Sequence, residues 1–126
     1  MTQDSSMPID LRERAIAFLE NLTTKRDLPG AARLMHDALT LQHNDLPSMT
    51  KAEFVEFWPS VLDKSPNVHV AIKDVICQGN RVWVFSCVTG RLNEGPLDDV
   101  HMLSFAEDGT ILRSHGIQRQ KVEGGH

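Results

Sequence analysis

Apolar positions recur at helical spacing in the first half of the chain and at every second position in much of the second half. A first helix is predicted to begin at Asp10, because Asp10 and Glu13 match a capping box, in which side chains satisfy the free amide groups of the first turn. The apolar positions that follow are three or four residues apart and define one buried face: Leu11, Ala15, Phe18, Leu19 and Leu22.

Two more helices are predicted before the alternation begins. A short one runs from Asp27 to about His36, with its apolar residues on one side. The next opens at a second capping box, Thr50 to Glu53, and continues through an apolar face that includes Trp58. Pro59 interrupts this pattern, so the third helix is expected either to kink or to end near Trp58 and restart.

The period of two predicts strands. A short strand before the third helix reads LTLQHN and brings His43 to a position where the alternation calls for another apolar side chain. Four long strands follow, joined by turns at Gly79-Asn80, at residues 93–96 and at Glu107-Asp108-Gly109. The second of them is apolar on both sides and is therefore expected to be central in its sheet. The four cover residues 68–77, 82–89, 99–105 and 111–118.

Helices first and long strands later predict an α+β fold, with three N-terminal helices packed on one face of a curved, mainly antiparallel sheet. The 126 residues suit one domain, with a core over residues 10–119 and polar termini. The net charge is −4 and the 13 Lys and Arg residues are scattered, which argues against nucleic acid as a partner. No apolar run approaches the roughly 18–20 residues of a membrane span, and the N-terminus is polar, so a soluble cytoplasmic protein is expected.

The two cysteines are expected to be buried free thiols. If Gly79-Asn80 is a two-residue hairpin turn, Cys77 pairs with Val82 and Cys87 pairs with Ile72. The sulfurs are then about five rungs, or roughly 17 Å, apart, which is too far for a disulfide. No Cys and His spacing indicates a zinc site.

The order of elements and several phrases resemble the nuclear transport factor 2-like superfamily, in particular its SnoaL-like polyketide cyclase and ketosteroid isomerase branches. The resemblance covers roughly residues 10–119 and implies a cone-shaped barrel of helices and curved sheet around a pocket. Phe105 to Ile111 is similar to the family's Phe-x-x-x-Gly-Lys-Ile hairpin. The phrases that carry the resemblance are DLPGAARLMHDALTLQHN, TKAEFVEFW, VHVAIKDVICQGNRVWVFSC and DDVHMLSFAEDGTILRSHGIQ.

The resemblance implies two histidines as candidate catalytic residues. His43 stands near the place where the isomerase branch carries its proton-abstracting carboxylate, and His101 stands where that branch carries an oxyanion-stabilising acid. An imidazole exchanges protons near neutral pH, so two of them in an apolar pocket can serve as base and acid. The chain has no Tyr, so the phenolic partner of the isomerase oxyanion hole is missing.

His115 is a third candidate whose position depends on strand register. If residues 107–109 form a three-residue loop with Gly109 in the left-handed conformation, Phe105 pairs with Ile111 and His101 pairs directly with His115. If the loop has four residues, Ser114 faces His101 and His115 points to the other side, because a one-residue slip reverses the face. The shared-face register is slightly favoured.

Five further residues are candidates for the site. Asn44 is a catalytic candidate that could orient His43 or bind a carbonyl group, and Asp99 lies on the His101 side of its strand. Trp58, Phe105 and Arg113 join Asp99 as candidate substrate-binding residues. For each aromatic residue the simplest interpretation is core packing, for Arg113 it is a rim or ion-pair position, and a single strand histidine is more often structural than catalytic.

The resemblance implies a cofactor-independent, metal-free enzyme of secondary metabolism. It would act on an apolar polyketide- or terpenoid-like small molecule by isomerisation, cyclisation or dehydration, and a homodimer is expected. Two alternatives remain open. One is an epoxide hydrolase, which calls for an Asp-Arg-Asp arrangement for which Asp99 and Arg113 are the obvious candidates. The other is a non-catalytic small-molecule-binding or dimerisation module of the same fold.

Overall fold

The computed structural model describes residues 9–92 and 94–121, so much of the polar termini and Asn93 of the second predicted turn lie outside the described residues. Helix α1 spans Leu11–Leu22, α2 Leu28–Arg33 and α3 Lys51–Asp63. The strands are β1 Met35–His43, β2 Met49–Thr50, β3 His69–Gln78, β4 Arg81–Thr89, β5 Leu97–Phe105 and β6 Ile111–Gln120. The helices precede the four strands β3 to β6, as expected for the α+β fold, but β1 has nine residues and is longer than the short strand predicted before α3.

The predicted helix starts are confirmed by their caps. The side chain of Asp10 accepts a hydrogen bond from the amide of Glu13, and Thr50 and Glu53 form a complete capping box at α3. Helix α3 neither stops nor restarts at Pro59 but continues to Asp63. The predicted second helix was too long, because α2 ends at Arg33 and β1 already begins at Met35. Pairing of Met35 with Ile111 of β6 outweighs the local helical pattern there.

The six strands form one mixed, open sheet in the order β2-β1-β6-β5-β4-β3. Strands β3 to β6 make the predicted antiparallel meander, and β1 adds to it in parallel with β6. Helix α1 packs on β3 and β4, and α3 packs on β1 and β2. Phe18, Leu39 and Leu103 are fully buried between the helices and the inner face of the sheet. No helix within the described residues is long and apolar enough to cross a membrane.

The β3–β4 hairpin has the predicted turn but a different register farther along. Gly79 has a positive φ of 59°, and Cys77 pairs with Val82 as predicted. A β-bulge between Ile72 and Asp74 then shifts the ladder by one residue, so Cys87 pairs with Ala71 and not with Ile72. Both cysteines are free thiols, but the prediction that they are buried is wrong, because Cys77 is exposed and Cys87 is half-buried.

The β5–β6 hairpin also has the predicted turn followed by a register shift, and here the shift changes which side chains face the site. Phe105 pairs with Ile111, and Gly109 has a positive φ of 83°, as the three-residue loop requires. The ladder then shifts by one residue, so that Gly116 pairs with His101. The favoured prediction that His115 pairs with His101 is therefore wrong. The local turn was predicted correctly, but the bulge turns His115 to the outer face.

Candidate active site

A cavity of about 140 Å³ lies between the helices and the inner face of the sheet. Its helix side is apolar and is formed mainly by Phe18, Leu22, Phe54 and Trp58. Leu46, Pro47 and Phe57 also line it, and Leu46 and Phe57 are solvent-exposed, which places the opening beside them. An apolar cavity of similar size can hold one aromatic ring, so the site suits a small, mostly apolar molecule.

The sheet side of the cavity carries the polar groups. Strand β1 contributes His43, β5 contributes Asp99 and His101, β6 contributes Gln118, and the segment after β4 contributes Arg91. The apolar and polar walls are opposite each other, because helices supply one and strand positions of a single face supply the other. A ligand can therefore be held by apolar contacts and turned toward the polar groups.

His43 occupies the end of β1, opposite Gly116 of β6. Burial lowers the pKa of His43 below its usual 6.5, and the positive charges of Arg91 and His101 lower it further. Asp99 and Glu94 act in the opposite direction without cancelling the effect. The His43 imidazole is therefore neutral near neutral pH and available as a proton acceptor.

His101 is accompanied by a buried carboxylate. Oδ2 of Asp99 lies 3.0 Å from Nδ1 of His101, and the Asp99 side chain is only 2% exposed. The distance is that of an ion pair, although the Nδ1 position is not aligned for a regular hydrogen bond and Asp99 Oδ1 has no partner among the described residues. Strand alternation puts both residues on the inner face, so the carboxylate lies where it can orient the imidazole.

Gly116 makes room for the His101 ring. A β-carbon at position 116 would lie 2.9 Å from Nε2 of His101 and 3.2 Å from its Cδ2, both closer than side chains normally approach. The two residues pair directly across the β5–β6 ladder, so the ring lies over the glycine. The glycine thus permits His101 to lie along the cavity wall.

Sequence reasoning missed Arg91 and Gln118. A donor at Nη1 of Arg91 hydrogen-bonds to Oε1 of Gln118, while Nε of Arg91 is buried without a partner among the described residues. Gly90 places Arg91 there: its φ is +72°, and a β-carbon would meet the carbonyl oxygen of Asn67 at 2.3 Å. Gly90-Arg91 directly after a strand was a weak signal, since only the folded chain brings it beside His43.

Two of the predicted catalytic residues lie outside the cavity wall. Asn44, with a positive φ of 50°, joins β1 to β6: its amide donates to the carbonyl of Gly116 at 2.7 Å, and its Oδ1 accepts from the amide of Gln118 at 2.8 Å. It therefore does not orient His43. His115 lies on the outer face, where its Nε2 is 3.1 Å from the carbonyl oxygen of Asn44. Both residues hold the strand junction beside the site.

Of the predicted substrate-binding residues, two line the cavity and two do not. Trp58 lines the cavity, stacks on Phe54 with ring centroids 5.2 Å apart, and donates from Nε1 to the carbonyl of Leu22 at 2.8 Å. Asp99 also lines the cavity. Phe105 is instead 2% exposed within the core, and Arg113 is exposed on the outer face because of the same bulge that displaces His115. Within residues 9–92 and 94–121 no group of three or more His, Cys, Asp or Glu side chains could hold a metal ion.

Comparison with known proteins identifies relatives over most of the chain. Residues 15–114 match the family of SnoaL-like domains. The chain is 49% identical over 117 residues to a protein of Aspergillus carbonarius named "probable cyclase otaY", covering 93% of this chain and 94% of that protein. A protein of Aspergillus niger with the same name is 48% identical over 115 residues, covering 91% of this chain and 97% of that protein.

Solved structures show the same fold at low sequence identity. An NTF2-like protein of unknown function from Cytophaga hutchinsonii has a TM-score of 0.72 and 13% identity, covering 90% of this chain and 94% of that one. TerC co-crystallised with polyporic acid has a TM-score of 0.74 and 22% identity, covering 86% and 91%. The nuclear transport factor 2-like fold implied by the sequence is thereby confirmed.

Proposed function

This chain belongs to the family of SnoaL-like domain proteins, and on that premise we propose that it is a cofactor-independent cyclase acting on an apolar, polyketide-derived small molecule of secondary metabolism. The name of its two Aspergillus relatives supports cyclase chemistry. The observation that carries the proposal is that His43 and His101 line one cavity in different electrostatic surroundings. A neutral imidazole and a carboxylate-paired imidazole are suited to opposite roles in proton transfer.

His43 is the general base. Its neutral imidazole removes a proton from a carbon beside a substrate carbonyl, and the electron pair of that carbon–hydrogen bond becomes an enolate. The enolate carbon then attacks a second carbonyl carbon of the same molecule, so a carbon–carbon bond forms and the electron pair of that carbonyl moves to its oxygen. No oxidant or reductant is needed.

His101 is the general acid. Its Nδ1 faces Asp99, so its Nε2 can deliver a proton to the oxygen that gains charge as the ring closes. His43 leaves the step protonated and His101 leaves it deprotonated, so one proton transfer between them restores the site. Isomerisation and dehydration begin with the same removal of a proton from carbon and are the neighbouring reactions of this arrangement.

The first step can be measured without the natural substrate. 2-Tetralone is a bicyclic ketone with acidic hydrogens beside its carbonyl, and NMR in deuterium oxide reports their exchange. We expect the wild-type protein to accelerate exchange and His43→Gln to reduce the acceleration by about 10²- to 10⁴-fold, the usual contribution of a general base. A wild-type rate no greater than that of free imidazole at equal histidine concentration would contradict the proposal and favour the binding-module alternative.

The epoxide hydrolase alternative has less support. It calls for two aspartates and an arginine around an activated water, and Arg113, one of its candidates, is on the outer face. Arg91 supplies an arginine, but Asp99 is the only carboxylate among the described residues of the cavity wall, and it is paired with His101. The geometry therefore favours acid–base chemistry at carbon.

We also propose that two copies of the chain associate through the outer face of the sheet. Ile76, Trp83, Phe85 and Ile117 are 42–64% exposed there and lie on β3, β4 and β6, with Val100 of β5 paired to both Phe85 and Ile117. A contiguous apolar surface of this kind suits a self-complementary two-fold interface. Light scattering should give twice the chain mass for the wild type and a smaller mass for Trp83→Lys. A monomeric wild type would rule this association out.

A further inference from the structure

Arg91 is a half-buried cation whose charge has no partner of opposite sign in the described chain. None of the ion pairs among the described residues includes it, and its hydrogen-bonding side-chain partner is the neutral amide of Gln118. The acidic residue of the cavity wall, Asp99, is 3.0 Å from His101. Arg91 is therefore not neutralised by another described side chain, and after burial its positive charge is the next cause of the lowered pKa of His43.

One edge of the guanidinium has no hydrogen-bond partner among the described residues. Nη1 is engaged by Gln118, whereas Nε is buried with no partner among the described residues. An arginine presents Nε and the second terminal nitrogen as two parallel donors, which match the two oxygens of a carboxylate. A buried charged donor without a partner is costly, so this edge favours a ligand that satisfies it.

Gln118 holds Arg91 without neutralising it. The backbone amide of Gln118 is bound by Asn44 Oδ1 at 2.8 Å, so this part of β6 is fixed against the end of β1. The side-chain amide then positions the guanidinium through a neutral contact. A carboxylate at position 118 would neutralise the guanidinium of Arg91, whereas the neutral amide leaves that charge available to a ligand.

The charge balance favours a carboxylate over a phosphate. Arg91 is the one Lys or Arg among the described residues that line the cavity, and the other wall residues are apolar or uncharged apart from Asp99 and the histidines. A phosphate carries nearly two negative charges at neutral pH, which one guanidinium does not balance. One guanidinium and one carboxylate balance each other.

We propose that the substrate of this site is a carboxylic acid, whose carboxylate is bound by the Nε edge of Arg91 while its apolar body occupies the Phe54–Trp58 side of the cavity. The chemistry of this substrate rests on the proposed function, but the binding preference does not. Anchoring the carboxylate at Arg91 places the neighbouring carbons beside His43, the proposed base. Arg91 is thus a specificity-determining residue.

A matched pair of ligands tests the preference. 2-Naphthoic acid and 2-naphthamide have nearly the same shape and differ in charge, and calorimetry at neutral pH measures the affinity of each. We expect the wild type to bind the acid at least about tenfold more tightly, as a charge-assisted bidentate contact provides. In Arg91→Gln the acid and the amide should bind equally, with the amide affinity nearly unchanged, which also shows that the variant is folded.

Two further variants test whether the preference for the acid comes from Arg91, and whether it needs the paired N–H donors of Arg91 or only its positive charge. Arg119→Gln removes an exposed arginine of the outer face and should retain the full preference for the acid. Arg91→Lys keeps the charge but loses the paired donors, so this variant should retain only part of the preference for the acid. Failure of the wild type to prefer the acid, including failure to bind either compound, overturns the proposal, as does a preference that survives in Arg91→Gln. Full preference in Arg91→Lys overturns the bidentate contact.

The binding experiment tests the carboxylate preference independently of the exchange experiment that tests the cyclase proposal. If the acid is preferred but 2-tetralone exchange is not accelerated, the anion site stands and the cyclase proposal falls. If exchange depends on His43 but no preference for the acid exists, the cyclase proposal stands and the substrate class falls.

Discussion

His101 and His115 lie on adjacent rungs of one ladder but on opposite faces of the sheet. His101 pairs with Gly116 and His115 with Met102. The inner histidine lies in a mostly apolar cavity beside a buried carboxylate, whereas the outer one contacts the backbone carbonyl of Asn44. The same side chain therefore either lines the cavity or contacts the backbone according to the face it occupies, and the bulge in the β5–β6 ladder sets that face.

The largest expected effect is the difference in exchange rate between variants of His101 and of His115. Replacing His101 by Gln should reduce the acceleration of 2-tetralone exchange by about 10²-fold or more, because the group that stabilises the developing oxyanion is lost. His115→Gln keeps an N–H donor for the Asn44 carbonyl and should change the rate little. Equal losses in both variants, measured by NMR, would show that the face is irrelevant.

The next largest effect is expected when the space beside the His101 ring is filled. In Gly116→Ala the new β-carbon would press on Nε2 of His101. We expect the exchange rate to fall by about tenfold or more and the free energy of unfolding to fall by about 1–3 kcal/mol, the usual cost of overpacking. Gly95→Ala, where a β-carbon meets nothing within 4 Å, is the matched control and should alter neither quantity. Chemical denaturation and exchange rates provide the measurements.

The contrast between faces extends to the neighbouring aspartates. Asp99→Asn should reduce exchange by about tenfold, since His101, the proposed general acid, loses the carboxylate that lies 3.0 Å from its Nδ1. Asp98 points to the other face, where its carboxylate is 3.9 Å from Arg119, and Asp98→Asn should leave the rate nearly unchanged. If Asp98→Asn is the more damaging variant, the assignment of faces at β5 is wrong.

The smallest expected effect is a shift in pH dependence. Because the pKa of His43 is lowered below 6.5, chiefly by burial and then by Arg91 and His101 against Asp99 and Glu94, the exchange rate should remain high until the pH falls below 6.5. Removing a positive charge raises the pKa of a nearby histidine, so Arg91→Gln should move this acidic limb to higher pH. A pH–rate profile between about pH 5 and pH 8 measures it. A limb that stays in place or moves to lower pH would show that Arg91 does not act on His43.

Features set by neighbouring residues along the chain were predictable. Capping boxes marked the starts of α1 and α3, and Gly79 and Gly109 marked the turns of the two hairpins, including the pairs Cys77 with Val82 and Phe105 with Ile111. In each case a side chain or a positive φ acts on groups a few residues away. The end of α2 was not predictable in this way, because β1 begins there by pairing with β6.

The candidate site was only partly predictable for the same reason. The resemblance and the alternation together indicated His43, His101, Asp99 and Trp58, all of which line the cavity. Alternation extrapolated from a turn fails once a bulge intervenes, which displaced both His115 and Arg113 to the outer face. Arg91 follows the end of a strand, where no period applies, so the only local signal was the preceding Gly90, and that signal was weak.

The sequence by itself determined the α+β order and the hairpin turns, because caps, turns and strand alternation act over a few residues, and its resemblance to a known family indicated the two histidines of the inner face. Tertiary structure alone decided where the ladders shift, which residues share the cavity, and that an unpaired arginine lies beside the candidate base. Those features depend on packing and twist between strands that are distant along the chain, and a one-residue shift there reverses every side chain that follows.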